Sequence, residues 1–161
     1  MQNAIELAAK VGEELKSRRL LLAVAESCTG GGVCQALTEI AGSSEWFDCG
    51  FVSYSNSSKS ELLSIPAALI AQHGAVSEEI AAAMSEGAIA NSEAHVALST
   101  TGIAGPGGAV PGKPVGTICF GWTVGGTTHT ERKIFSGDRH SVREQTVAYA
   151  LEKLLRYLEE I

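Results

Sequence analysis

The sequence predicts a three-layer α/β/α sandwich built on a mixed β-sheet, folded as one domain over residues 1–161. Three observations lead there. Helical and strand periodicities alternate through the first two thirds of the chain. The apolar run Leu20–Ala25 contains no polar position, the pattern of a strand buried on both faces. Near the C-terminus two strand patterns flank Gly125-Gly126, a hairpin signal that adds antiparallel strands. A chain of 161 residues suits a single domain at about 150 residues per domain. It is long enough to bury a core without staples.

The elements follow in order. Ile5, Ala8, Val11 and Leu15 recur at helical spacing and predict a helix over 3–18. The strand Leu20–Ala25 comes next, broken by Glu26-Ser27-Cys28-Thr29-Gly30-Gly31-Gly32. A second helix has Val33, Leu37 and Ile40 on one face and Gly42 at its C-terminal end. Phe47–Tyr54 reads as a strand. Ser58 and Glu61 have capping-box spacing and open a short helix before Pro66. Ser77, followed by Glu78 and Glu79, opens another, with Ile80, Ala83, Met84, Gly87 and Ala88 inward. Val96–Thr100 is a strand, and a Gly/Pro-rich loop spans Thr101–Pro114. Val115–Val124 and Thr127–Phe135 form the hairpin. Asp138 caps a last long helix with Val147, Leu151, Leu154, Leu158 and Ile161 in register.

Composition excludes several classes. Apolar residues make up 45% and charged residues 19%, which is too hydrophobic for disorder. The longest apolar run falls far short of the ~20 residues of a membrane helix. Glu6, Lys10, Glu13 and Glu14 interrupt any signal-peptide layout, so the chain reads as soluble and cytoplasmic, with no membrane partner. A net charge of −6 gives no electrostatic reason to coat nucleic acid. Cys28, Cys34, Cys49 and Cys119 form no CxxC, and His73, His95, His129 and His140 form no HExxH or HxxxH pair. No metal and no cofactor is expected.

Two loops carry the candidate chemistry, at the strand ends where such sheets collect ligands. In 26–32 a strand passes through a sharp turn into a helix and presents Ser27, Cys28 and Thr29. That is the setting of a nucleophile elbow without its GxSxG letters. Amides of the first helical turn would serve a developing oxyanion, and the plainer reading is an N-cap by Ser27 or Thr29. In the loop 101–114, Gly107–Lys113 nearly spells a P-loop, but Pro114 stands where Ser or Thr should hold magnesium and a strand follows instead of a helix. What remains is glycine-rich backbone able to approach a ligand closely, or a long turn.

A serine nucleophile needs a base, and of the histidines only His140 falls near a suitable loop. Lys59, where the Phe47–Tyr54 strand passes into a helix, is the other candidate. Its amine must be held neutral, from about 10.4 towards ~7–8, which costs about 4 kcal/mol. Otherwise it is a surface lysine. Arg139 and Arg143 stand four apart at a helix start and share one face, either for a phosphate or simply solvated. The glycosylation sequon Asn56-Ser57-Ser58 carries no weight without a secretion signal.

In combination these signals are specific. AESCTGG (25–31), YSN with a lysine five residues beyond the tyrosine (54–59), GAVSEE (74–79), TGIAGPGG (101–108), KPVGT (113–117) and FSGDR (135–139) occur in that order. Together they resemble the CinA C-terminal family of nicotinamide-nucleotide amidohydrolases, across essentially the whole chain. Larger family members carry an additional N-terminal domain, for which this chain has no room. The resemblance implies hydrolysis of the carboxamide of nicotinamide mononucleotide to nicotinic acid mononucleotide and ammonia. It places the catalytic serine at Ser27, the tyrosine at Tyr54 and the lysine at Lys59. On that reading Lys59 deprotonates Ser27 with Tyr54 assisting, and amides around Thr29, Gly30 and Gly31 hold the oxyanion. Thr101, Gly102, Gly105 and Gly107 line the nucleotide site, and Arg139 with Arg143 bind its phosphate. Cys28 is packing rather than nucleophile. The resemblance also implies a homo-oligomer. Two other readings remain open at this point: a non-catalytic nucleotide-binding module of the same fold, and an amidase for a different carboxamide.

Overall fold

In the computed structural model, which describes residues 2–161, the chain runs α1 (Gln2–Arg18), β1 (Leu22–Glu26), α2 (Gly32–Thr38), β2 (Phe47–Val52), α3 (Asn56–Leu63), α4 (Ala67–His73), α5 (Glu78–Ala90), β3 (Val96–Gly102), β4 (Thr117–Val124), β5 (Thr127–Ile134) and α6 (Arg139–Glu159). The sheet has five strands in the order β2-β1-β3-β4-β5. β1 lies parallel to both β2 and β3, while β4 and β5 add antiparallel strands. The expected three-layer sandwich with a mixed sheet is what the chain forms.

Strand pleating sorts the core into two faces. Leu22, Val24, Leu98, Phe120 and Trp122 point to one side, where α1, α2 and α6 cover them with Val11, Leu15, Leu37, Leu151 and Leu154. Ala23, Ala25 and Ala97 point to the other, under Leu63 of α3, Ile70 of α4 and Ile80 and Met84 of α5. The alanines let α5 lie close to the sheet. All five residues of β1 are buried: the apolar Leu22–Ala25, as their sequence predicts, and the carboxylate Glu26 at the strand's end. From β1 the chain crosses to β2 on one side, and β3 returns on the other. The carboxyl end of β1 is therefore a topological switch point.

Several boundaries differ from expectation. α2 ends at Thr38, so Ile40 lies beyond it, and Gly42 (φ +83°) opens the 3₁₀ turn Ser43–Glu45 instead of closing the helix. α3 begins earlier than the capping-box spacing suggested. Its cap is Ser55, whose Oγ accepts from the Ser58 amide, so Ser58 lies inside the helix. Pro66 both separates α3 from α4 and caps α4, a helix that the sequence reading missed. Ala83 is half-buried, and Ile161 lies past α6, 54% exposed. β3 extends through Thr101 and Gly102, which the sequence reading had assigned to the loop. Ser77 and Asp138 cap α5 and α6 as expected, accepting from the amides of Ile80 and Ser141.

Candidate active site

At the carboxyl ends of β1, β2 and β3 a cavity of about 240 Å³ opens. Its lining includes Ser27, Tyr54, Lys59, Thr101, Gly102 and Arg139. Ser27 follows the last residue of β1, and its amide donates to Thr100 O on β3 (2.9 Å). Lys59 sits one turn into α3, 1% exposed. Its Nζ lies 3.1 Å from Ser27 Oγ, 3.1 Å from Ser53 O and 3.2 Å from Tyr54 O. Burial lowers its pKa from 10.5, against a smaller opposing pull from the Cys28 thiol. A neutral amine has two N–H groups and one lone pair. With both N–H groups on the two carbonyls, the lone pair is left for the Ser27 hydroxyl.

The turn after Ser27 is held by Glu26, which the sequence reading placed at the head of the 26–32 loop without a role and which the structure makes the last residue of β1. Glu26, fully buried, accepts from Thr29 Oγ1 and from the amides of Gly31 (3.2 Å), Val33 (2.9 Å) and Cys34 (2.9 Å). The helix start is thus capped by Glu26, not by Ser27 or Thr29. The signal was available: an acidic residue closing an otherwise apolar strand must find donors. Gly30 (φ +58°) and Gly31 (φ +103°) adopt left-handed backbone that lets the chain fold back over this carboxylate. The amides expected for an oxyanion are partly spent. Gly30 donates to Ser27 O (3.1 Å) and Gly31 to Glu26. That of Thr29 has no acceptor among the described residues, and that of Cys28 meets only its own Sγ. Thr29 Oγ1 also meets Thr100 Oγ1 at 2.8 Å, which ties the turn to β3.

Cys28 lines the cavity beside Ser27, but burial and the negative charge of Glu26 push its thiol up to about 12. It is therefore no thiolate near neutral pH. Tyr54 contributes its carbonyl to Lys59, while the residue is 63% exposed beside the cavity, with no hydroxyl partner among the described residues. His140 sits outside the cavity, paired with Glu144 at 2.9 Å.

The two arginines separate. Arg139 faces the cavity and donates to Gly105 O (2.8 Å). Arg143 lines a neighbouring depression, and its donors lie on Cys28 O (3.1 Å) and Thr29 O (3.3 Å). The shared face predicted from their spacing does not make a joint anion clamp, because the 26–32 turn reaches Arg143 first. Thr101 is buried, with Oγ1 on Ala75 O (2.9 Å), and Gly102 lines the cavity wall. Contrary to expectation neither Gly105 nor Gly107 lines the cavity: Gly105 is buried beneath Val115, and Gly107 is exposed. Ala104, within the Thr101–Gly108 loop expected at the nucleotide site, lines the cavity, as do Asn56, Ala75 and Val76, which were given no role by the sequence reading. Ala75 and Val76 fall inside the quoted GAVSEE string, the one signal that pointed to them. The described residues hold no group of three or more His, Cys, Asp or Glu placed to bind a metal ion. No described helix is long and apolar enough to cross a membrane.

Comparison with known proteins decides the family. The model of the CinA C-terminal domain matches residues 4–158. The chain belongs to the CinA C-terminal domain family. Within it, the chain is 47% identical over 150 residues to the nicotinamide-nucleotide amidohydrolase PncC of Pseudomonas putida, covering 93% of this chain and 94% of that protein. It is 48% identical over 151 residues to the protein of the same name in Escherichia coli K12, covering 93% and 92%. A longer relative, a putative competence-damage inducible protein of Symbiobacterium thermophilum, is 46% identical, and the match spans 37% of its length. Among solved structures, a CinA superfamily protein from Klebsiella pneumoniae superposes with a TM-score of 0.94 at 36% identity, covering 98% of this chain and 99% of that one. A competence/damage inducible protein from Agrobacterium tumefaciens gives 0.93 at 38% identity, covering 96% and 95%. The three-layer sandwich is thus the architecture of this CinA C-terminal domain as of its solved relatives.

Proposed function

We propose that this chain is an amidohydrolase that converts nicotinamide mononucleotide to nicotinic acid mononucleotide and ammonia, with Ser27 as nucleophile and Lys59 as base. The observation that carries the reading is the buried Lys59 Nζ, 3.1 Å from Ser27 Oγ with Ser53 O and Tyr54 O on its other sides. The names of the relatives at 47–48% identity support the substrate.

The steps follow from that geometry. The Ser27 hydroxyl proton passes to the Lys59 amine as Oγ bonds to the carboxamide carbon, and the carbonyl electron pair moves onto oxygen. The amides of Cys28 and Thr29 receive that oxyanion. The Lys59 ammonium then returns a proton to the amide nitrogen, the C–N bond breaks, and ammonia leaves a nicotinoyl ester on Ser27. Water attacks the ester, Lys59 takes its proton, and cleavage of the ester returns that proton to Ser27 Oγ. The pyridinium charge of the substrate withdraws electrons and makes its carboxamide more reactive. Tyr54, Thr101, Gly102 and Ala104 line the pocket, and Arg139 is the cavity's cation for the phosphate. Residues 1–161 suffice for the reaction as one domain, and self-association through a free sheet edge, β2 or β5, belongs to the same reading.

The test is ammonia release from nicotinamide mononucleotide by chelator-treated protein. Ser27→Ala is expected to lose about four orders of magnitude or more in kcat. Lys59→Ala is expected to lose about 10²–10⁴-fold. Turnover unaffected by either change overturns the dyad. Thermal stabilisation by the nucleotide without turnover favours a binding module instead.

A further inference from the structure

The turn after Ser27 is gripped from two sides. Glu26 takes its later amides from below. From α6, Arg143 donates through Nε to Cys28 O and through Nη2 to Thr29 O. Between these grips, the amide of Thr29 has no acceptor among the described residues, although Thr29 is only 2% exposed, and the amide of Cys28 meets only its own Sγ. Backbone N–H groups in such buried residues are normally paired. An unpaired Thr29 donor two residues after the nucleophile is therefore a place for an arriving acceptor.

Cys28 O belongs to the same peptide group as the Thr29 N–H. A cation on a peptide oxygen draws charge towards itself and makes the N–H of that group a stronger donor. Two donors from one planar guanidinium also fix the tilt of both carbonyls, and with it the direction of the N–H groups opposite them. A Cβ placed on Gly30 would approach Nη2 to 3.3 Å, so the guanidinium lies directly against the turn.

We propose that Arg143 is a positioning residue for the hydrolysis: by holding Cys28 O and Thr29 O it orients and strengthens the Thr29 amide as an oxyanion donor. The inference rests on the reading of Ser27 as nucleophile. Arg143 acts through the backbone, touches no substrate and does not bind the phosphate.

The experiment is steady-state kinetics of wild type, Arg143→Gln and Arg143→Lys on nicotinamide mononucleotide across pH, with a thermal scan of each. Removing an oxyanion donor costs about 10²–10³-fold, so weakening one in Arg143→Gln is expected to lower kcat about 10–100-fold. KM is expected to stay within about two-fold, because the interaction is made only in the transition state. The acid limb of the pH profile is expected to stay in place. General loosening of the site would wet Lys59 and move that limb. Arg143→Lys is expected to recover part of the rate, since it keeps the charge but not the fork. A raised KM at wild-type kcat makes Arg143 a substrate clamp and overturns the proposal, as does a folded Arg143→Gln with wild-type kcat. Should Arg143→Gln fail to fold, Arg143→Lys with wild-type kcat overturns it equally. An inactive wild type removes the hydrolase reading and the proposal with it, whereas an active wild type beside an unaffected variant removes the proposal alone.

Discussion

Replacing Gly87 by alanine tests whether the distance between Lys59 and Ser27 is set by helix packing. Gly87 lies in α5 where α5 crosses the end of α3. A Cβ there would stand 2.3 Å from Leu63 O and 3.0 Å from Leu63 Cβ. A carbon–oxygen contact settles near 3.3 Å or beyond, so the end of α3 must retreat by about 1 Å. Backbone meets side chain here, and no flexible tip can yield. Alanine gains about 1 kcal/mol in helix propensity, and overpacking costs about 1–3 kcal/mol. The net expectation is a loss of about 1 kcal/mol, or about 2–4 °C in Tm. Activity suffers far more. Lys59 lies one turn before Leu63, and moving Nζ from 3.1 Å to about 4 Å breaks its hydrogen bond to Ser27. A misplacement of that size costs about 10²-fold in kcat. Ammonia release and thermal unfolding of the same preparation supply both numbers. A variant stabilised by the full propensity gain at wild-type kcat would refute the claim that this helix contact sets the dyad.

Other expectations follow from the same site. Glu26→Gln places an amide group against the Cys34 N–H that Glu26 Oε2 now accepts, and is expected to cost about 1–3 kcal/mol in denaturant unfolding together with a lower kcat. Burial depresses the Lys59 pKa, so the reactive amine is lost as pH falls through the depressed value, and kcat is expected to rise with pH to a plateau. The stability sign is the same. Below 10.5 the unfolded chain binds the Lys59 proton more tightly than the folded one, so wild-type stability relative to Lys59→Met is expected to rise with pH up to about that value in denaturant titrations. Cys28→Ala removes a protonated, buried thiol and is expected to keep kcat within about ten-fold, with alkylation of the wild-type thiol slow at neutral pH.

The sequence carried the fold because its decisive features are local. The apolar run Leu20–Ala25, the hairpin at Gly125-Gly126 and the caps Ser77 and Asp138 are each written within a few residues. Ser27 and Lys59 were nameable for the same reason: each stands where a strand hands over to a helix. The sequence could not reveal that Lys59 is gripped by the carbonyls of Ser53 and Tyr54, since backbone acceptors have no letter of their own. It could not divide Arg139 from Arg143 either. A spacing of four puts both on one helix face, but which loop reaches which guanidinium is decided by β1 and β3 ending side by side. α4 was lost because Pro66 reads as a terminator and here also serves as an opening. Glu26 was passed over because capping is usually sought in short polar side chains, and this carboxylate reaches its amides from the strand before the turn.

Ser27 and Lys59 stand on opposite sides of the sheet's helical cover. The serine turn is braced by α2 and α6, which pack on one face, while the lysine rides on α3, which packs with α5 on the other. A chain with only one of these layers docked does not bring Lys59 Nζ to the 3.1 Å from Ser27 Oγ that the proposed dyad requires. With Ser27 and Lys59 as the proposed dyad, hydrolysis is expected to begin only when the last layer closes. For the experimenter, ammonia release doubles as a probe of complete assembly: during refolding it should appear with the slower of the two layers, whichever forms first.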